Sequence, residues 1–97
     1  MFVSVVLDPS GVESAKALAT ILARYCFKKI QRACWECMSL NEQQLATLKR
    51  EIDNVTDYYD KIRMYQFPVN NAFAITELHH KKWRRCVLGT SEQKSAT

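Results

Sequence analysis

The alternation of apolar and polar positions predicts a strand at the start of the chain and a helix directly after it. Residues 2–7 form a short apolar run rich in β-branched side chains, which Asp8 and the turn residues behind it close. In residues 11–25 the apolar positions recur every three or four residues, as on one face of a helix. Ser10 and Glu13 have the spacing of a capping box and predict where this helix begins.

The middle of the chain predicts extended structure and then a second helix. Residues 26–38 mix apolar and basic side chains, and indicate either one bent strand or two short strands that meet near Ala33. Ser39 and Glu42 again have capping-box spacing. Apolar residues at helical spacing follow as far as Val55, so this helix should also bury one face.

The last third begins with a strand and an ambiguous segment. Residues 61–67 alternate in the way of a strand, and Pro68 interrupts the pattern. Residues 70–81 leave two alternatives open, either a short helix capped by Asn70 or Asn71 or another strand.

Residues 83–88 predict a final strand closed by Gly89, and the polar residues 90–97 predict a flexible tail. Strands and helices in this order indicate an α+β sandwich with the helices on one face of the sheet.

The first strand is largely apolar on both faces. Val3 and Val5 lie on one face, and Phe2 and Val6 lie on the other. A sheet covered on one side only would show a polar second face, so something should cover this one as well. A second copy of the chain is the simplest candidate, which predicts a homodimer.

Composition limits the classes of protein. The 97 residues make one domain with a net charge of +4, which suits a polyanionic partner. No apolar run is long enough to span a membrane, and no basic region precedes the first apolar run as in a signal peptide. Four cysteines without an export signal predict free thiols in a reducing, cytoplasmic environment.

Asp8 is the first candidate site residue. A carboxylate at the end of a strand, beside a helix start, is a common place for a metal or phosphate site. The alternative is that Asp8 only shapes the turn or caps the helix.

A basic segment is the second candidate site. Residues 79–85, HHKKWRR, place four cations around one tryptophan and suit contact with phosphates. The alternative is a solvated edge strand, in which lysine discourages aggregation. The basic residues predicted to bind nucleic acid are Lys16, Lys28, Lys29, Arg32, Lys81, Lys82, Arg84 and Arg85.

The Cys34-Trp35-Glu36-Cys37 motif raises a redox or zinc alternative. In a strand, residues three apart point to opposite faces, so the two thiols could not easily share a metal or a disulfide. Buried free cysteines are the ordinary explanation.

Short motifs in a fixed order resemble those of a known family. An apolar strand ends in Asp8, and a helix ends at the turn Tyr25-Cys26. The sequence IQRACWE follows at residues 30–36, IRMY at residues 62–65 and VLG at residues 87–89. In this order they resemble the small CRISPR-associated adaptation proteins, the non-integrase partners in spacer acquisition, also described as small endoribonucleases.

The resemblance implies a fold and a site. It implies a ferredoxin-like βαββαβ sandwich over residues 1–89, with an extra C-terminal strand, in a symmetric homodimer. It also implies that Asp8 is the catalytic and metal position, with two copies meeting on the twofold axis to hold Mg²⁺ or Mn²⁺. The chain departs from the family pattern at Pro9, where an apolar residue is usual, and at Cys26, where glycine is common.

Two function classes follow from the residues and the resemblance. The first is a dimeric scaffold that binds double-stranded DNA, with RNA as a second candidate, and bridges integrase subunits during spacer acquisition. The second is a metal-dependent endonuclease acting on RNA or DNA through paired Asp8, which includes a toxin-like ribonuclease. The basic segments favour the first class, and Asp8 is compatible with both.

Overall fold

A computed structural model describes residues 1–89 as an α+β domain, which confirms the predicted class. The predicted tail, residues 90–97, lies outside the described residues. In chain order the elements are β1 (Phe2–Asp8), α1 (Val12–Arg24), β2 (Lys28–Gln31), β3 (Cys34–Cys37), α2 (Glu42–Val55), β4 (Lys61–Val69), β5 (Ala72–His79) and β6 (Lys82–Leu88).

The strands form one antiparallel sheet in the order β2-β3-β1-β4-β5-β6. The first four of these, with one helix after β1 and the other after β3, are compatible with the expected ferredoxin-like unit. Beyond β4 the sheet continues with β5 and β6, whereas the sequence predicted one extra strand.

The ambiguous segment is a strand and not a helix. Asn70 and Asn71 have φ angles of 52° and 63°, and form a tight turn between β4 and β5. Asparagine tolerates this left-handed region better than most residues, so the pair starts a hairpin rather than a helix. Pro68 lies inside β4, at a register irregularity between Gln66 and Val69 where its missing N–H is tolerated.

Residues 26–38 form two short strands, β2 and β3, which confirms one of the predicted alternatives. All four residues of β2 are exposed, and the strand lies at one edge of the sheet. The last strand, β6, lies at the other edge, so each of these strands has one unpaired side within the described chain.

The predicted capping box of α1 is wrong. The helix begins after Gly11, and no side chain caps it. The backbone N–H of Ser10 donates instead to Asp60 Oδ1, at 2.6 Å. This partner lies 50 residues away, so local spacing could not show it.

The capping box of α2 lies two residues later than predicted. Asn41 Oδ1 accepts from the N–H of Gln44 at 2.7 Å, and the side chain of Gln44 accepts in return from the N–H of Asn41. Leu40 and Met1 are joined by two backbone hydrogen bonds. The N-terminal ammonium of Met1 donates to the carbonyl of Leu40, and the N–H of Leu40 donates to the carbonyl of Met1. This extended pairing prevents the helix from starting at Ser39.

Both helices pack on one face of the sheet. Val3 and Val5 of β1 are fully buried there, beside Met64 of β4. The helices contribute buried side chains at helical spacing, among them Leu18, Leu22, Leu48 and Ile52. The apolar residues that alternate along the strands and those at helical spacing therefore pack together in a single core.

Asp60 joins two loops beneath this core. Its residue is 1% exposed, and its carboxylate accepts from the N–H of Ser10, the hydroxyl of Ser14 at 3.0 Å and the N–H of Asp57 at 2.8 Å. Burial raises the pKa of Asp60, but these hydrogen bonds outweigh it and the net pKa lies below the usual value. The loop that follows Asp8 is thereby held against the loop before β4.

Neither helix within residues 1–89 has the length and apolar character needed to cross a membrane.

Candidate nucleic-acid interface

The sheet face opposite the helices, here called the open face, changes from charged to apolar along the strands. It carries alternate residues of each strand, and strand pairing sets them in cross-strand rows. From the charged to the apolar end, the rows are Asp8-Lys61-His79-Lys82, Val6-Arg63-Glu77-Arg84, Ser4-Tyr65-Ile75-Cys86, and Phe2-Phe67 with Phe73-Leu88.

Uncovered rings dominate the apolar end of the open face. Phe67 is 48% exposed and Phe73 is 39% exposed, with their ring centroids 5.9 Å apart. Leu88 is 40% exposed beside them. Exposed apolar groups in contact with each other mark an interaction surface. The sequence predicted an apolar second face from β1 alone, and the structure limits it to one end.

Asp8 ends β1 on the open face and is exposed, in the charged row opposite Lys61. It closes the first strand as predicted. The alternative role as a helix cap is wrong, because α1 has no side-chain cap. Strand pairing places one cation, Lys61, opposite Asp8 rather than a further acid.

A single chain does not provide a magnesium site at Asp8. Within residues 1–89, no group of three or more histidine, cysteine or acidic side chains is placed to hold a metal ion. Magnesium prefers octahedral oxygen ligands and usually takes one or two carboxylates plus phosphate oxygens. The donors of one chain do not fit this ion, and a second Asp8 would have to come from another copy.

The basic residues of β6 lie on opposite faces of the sheet. Lys82 and Arg84 belong to the open face, with His79 and Glu77 as their cross-strand partners. Arg85 points to the helix side, where its cross-strand partner is the buried Thr76. The predicted cluster of residues 79–85 is therefore two basic surfaces that share one strand.

Lys81 is engaged within the chain. Its ammonium donates to the carbonyls of Asp53 and Thr56 at 2.6 and 3.1 Å, and lies 3.3 Å from the carboxylate of Asp53. A cation at the C-terminal end of α2 is favourable with respect to the helix dipole. Lys81 thus secures the β5–β6 turn to α2.

The remaining predicted cations do not belong to β6, and three of them lie at the opposite edge of the sheet. Lys28 and Lys29 are in β2, Arg32 follows in the β2–β3 turn, and Lys16 lies on α1. β2 and β6 are opposite edges of a six-stranded sheet, about 24 Å apart at the usual strand spacing. One chain therefore does not join them in a shared basic surface, although a second copy could.

The two cysteines of the Cys34–Cys37 motif occupy opposite faces of β3. Cys37 is buried on the helix side, with its Sγ 3.7 Å from the carbonyl of Tyr25. Cys34 lies on the open face, with its Sγ 3.5 Å from Ser4 Oγ. Both thiols are free.

Two cations of α2 were missed by sequence reasoning. Lys49 and Arg50 line a groove of about 510 Å³ on the helix side, together with Trp83. Lys49 Nζ lies 5.1 Å from the centre of the Trp83 ring. Burial, and then the nearby charge of Arg85, lower the pKa of Lys49. Helical spacing gave no signal for them, because it does not show which strand a helix faces.

Trp83 itself is a packing residue. It lies against the core, and its Nε1–H donates to Asp53 Oδ1 at 3.2 Å. The helix-side surface of β6 therefore combines three cations, Lys49, Arg50 and Arg85, around a fixed aromatic ring.

The fold and these surfaces define a small α+β domain with an uncovered sheet face and basic outer strands. The family model of the CRISPR associated protein Cas2 matches residues 1–75, and the chain belongs to this family. Membership connects the protein with CRISPR adaptation. Comparison with curated proteins and with solved structures gave no match. All of β6, including Lys82, Arg84 and Arg85, lies beyond the matched residues.

Proposed function

We propose that the protein is a symmetric homodimer that holds double-stranded DNA during CRISPR spacer acquisition. Its place in the family supports a role in adaptation. A twofold dimer presents two equivalent ends, which suits the bridging of two integrase subunits. The ferredoxin-like unit supplies the sheet through which the copies meet.

The uncovered open face carries this proposal. Its apolar end exposes Phe67, Phe73 and Leu88 on a domain of 97 residues, and a domain of this size gains core by association. A second copy placed against this face would cover the rings of both chains. The free side of β6 offers a further way to join, through strand addition.

Cations on the helix side of β6 are proposed to bind the DNA backbone. Lys49 and Arg50 line a groove with Trp83, and Arg85 lies two residues after Trp83 on the helix side of β6. The second copy would cover the apolar end of the open face. Phosphate contacts fix the position of a duplex but carry little base information. We therefore expect binding with slight sequence preference, and the dimer repeats the surface on its second chain.

Single arginine variants test which side of β6 contacts the duplex. Arg85→Ala should make the log–log salt dependence of blunt-duplex binding shallower by about 0.9 for each phosphate that the variant no longer neutralises. Arg84→Ala should leave this slope unchanged, since Arg84 lies on the other face. The slopes are measured by fluorescence anisotropy between low and physiological salt.

Arg24→Ala is the control for net charge, because Arg24 is exposed on α1 and pairs with Glu51 at 2.6 Å. It removes the same charge from α1, which contributes no residue to the groove. An unchanged slope for Arg85→Ala, or equal changes in all three variants, would contradict the assignment.

Metal-dependent cleavage through Asp8 is the second candidate function. It is favoured by the exposed position of Asp8 at the end of β1 on the open face, where two facing copies could bring their carboxylates together. Since one chain does not fit Mg²⁺, this activity would require the dimer. The proposed binding of DNA does not depend on this cleavage activity.

Asp8→Asn tests the nuclease alternative. Weak cleavage of RNA or DNA in Mg²⁺ or Mn²⁺ should fall to background, because the side chain keeps its size but loses its charge. Glu13→Gln, an exposed acid on α1, is the control and should retain the activity. Wild-type rates for Asp8→Asn, or equal rates in excess chelator, would exclude Asp8 as the source.

A further inference from the structure

We infer that a cavity beside the β5–β6 turn binds one unpaired nucleotide of a nucleic-acid strand. The cavity has a volume of about 260 Å³ and opens on the charged end of the open face. It is lined by Tyr58, Glu77, His79, His80, Lys82 and Arg84. The inference rests on the proposed function and adds that the protein recognises the single-stranded end of the DNA that it holds.

Stacked aromatic rings form one wall of the cavity. The rings of Tyr58 and His80 are stacked with centroids 4.4 Å apart and planes 18° apart. His79 and His80 are stacked at 3.7 Å and 25°. Tyr58 is 52% exposed, so about half of the residue is accessible to a ligand. His80 is stacked between Tyr58 and His79, so the outer faces of those two rings are the ones left for an unpaired base.

Charged side chains line the rest of the cavity. Lys82 and Arg84 stand two residues apart on one strand, so both project from the same face. Neither makes a salt bridge within residues 1–89, so both charges are available for a phosphate. Glu77 accepts from Arg63 at 2.6 Å and has lone pairs left for a base amino group.

Both parts of the cavity lining are held in place before any ligand arrives. His80 and Lys81 have φ angles of 55° and 60°, a turn conformation that few side chains favour. The bonds from Lys81 to the end of α2 fix this turn. Tyr58 lies in the loop that Asp60 clamps through Asp57. A fixed site binds with less loss of conformational entropy.

The size and the composition of the cavity select an unpaired nucleotide over a base pair. A volume of about 260 Å³ lies below the range of sites for drug-sized ligands, and accommodates one base with its phosphate. In a duplex the faces of each base are covered by its neighbours, so a stacking site has nothing to bind. The first unpaired nucleotide beyond a duplex offers both a free face and a phosphate.

The test compares a blunt duplex with the same duplex carrying a short single-stranded overhang. A 2-aminopurine at the first unpaired position reports stacking by its fluorescence. We expect the wild-type protein to bind the overhang duplex more tightly and to quench the probe. Tyr58→Ala should weaken binding of the overhang duplex about tenfold, and Tyr58→Phe should not. Blunt-duplex binding should be the same in all variants.

Tyr59→Ala is the matched control. Tyr59 is 76% exposed and its ring contacts the Tyr58 ring edge-on, with centroids 5.3 Å apart, but it does not line the cavity. Equal binding of both duplexes by the wild type, or equal effects of Tyr58→Ala and Tyr59→Ala, would overturn the inference. Failure of the wild type to bind the blunt duplex would instead contradict the proposed DNA scaffold. In that case the cavity is tested by the binding of a single-stranded oligonucleotide to the wild type and to Tyr58→Ala. Binding that Tyr58→Ala weakens supports the cavity, and absent binding or equal binding by both proteins overturns it.

Discussion

Replacing Phe67 and Phe73 together with serine is expected to convert the protein from a dimer to a monomer. Both rings are exposed at the apolar end of the open face and contact each other. Burying the exposed part of one such ring against a partner contributes about 1–2 kcal/mol. A twofold dimer loses four rings in this variant, so its dissociation constant should rise by at least about a thousandfold.

Size-exclusion chromatography with light scattering at micromolar concentration measures the change. The control replaces Val12 and Tyr59 with serine, because these residues are 71% and 76% exposed and lie off the open face. The control should remain dimeric. A monomeric wild-type protein, or a Phe67/Phe73 variant that stays dimeric, would show that the open face does not join two copies.

Replacing Asp60 with asparagine is expected to destabilise the domain by about 2–3 kcal/mol at neutral pH. The substitution puts an amide donor where both carboxylate oxygens now accept, from Ser10, Ser14 and Asp57. At least one buried N–H would then face another donor. The loss corresponds to a fall in the melting temperature of about 10 °C or more for a domain of this size.

The pH dependence of the Asp60 effect has a definite sign. Because the pKa of Asp60 is lowered in the folded state, its contribution is present above the unfolded value of about 3.9 and is lost as the pH falls through the folded value. The difference between wild type and Asp60→Asn should therefore be constant near neutrality and shrink below about pH 4. Thermal unfolding monitored by circular dichroism at several pH values measures it.

Asp57→Asn is the control for Asp60, because Asp57 is exposed and its Oδ1 accepts from the N–H of Tyr59, a bond that an amide oxygen can also make. Its effect should be small at every pH. An Asp60→Asn protein as stable as the wild type, or a difference that persists at low pH, would mean that the carboxylate does not hold the two loops.

Periodicity predicted the elements where one period dominated. The alternation in β1 separated its two faces correctly, since Val3 and Val5 are buried together. Helix starts were less predictable, because two nearby residue pairs had capping-box spacing. Ser39 and Glu42 are excluded as the capping box only by the hydrogen bonds between Leu40 and the N-terminal residue Met1. A contact across 39 residues leaves no local signal.

The candidate site shows a different limit. Asp8 lies at the end of β1 as predicted, and its exposure follows from that position. Arg84 and Arg85 were treated as one cluster although the predicted strand already implied opposite faces. Lys49 could not be assigned to the same surface as Arg85, because that requires knowing how α2 crosses the sheet. Tyr58 likewise could not be identified as a candidate site residue from the sequence, because only the fold shows that the β5–β6 turn places His80 against its ring.

The alternation along β6 also has a consequence for how this protein can diverge. Odd positions of the strand belong to the helix side and even positions to the open side, so a substitution at Arg85 leaves Arg84 paired across the sheet with Glu77. Selection could alter the side chains of β6 on the helix side without replacing those on the open face, or the reverse. A single residue inserted near the β5–β6 turn would change both faces at once, because every later side chain of β6 would move to the other face of the sheet. Among descendants of this gene, point substitutions in the last strand should therefore be common and length changes rare.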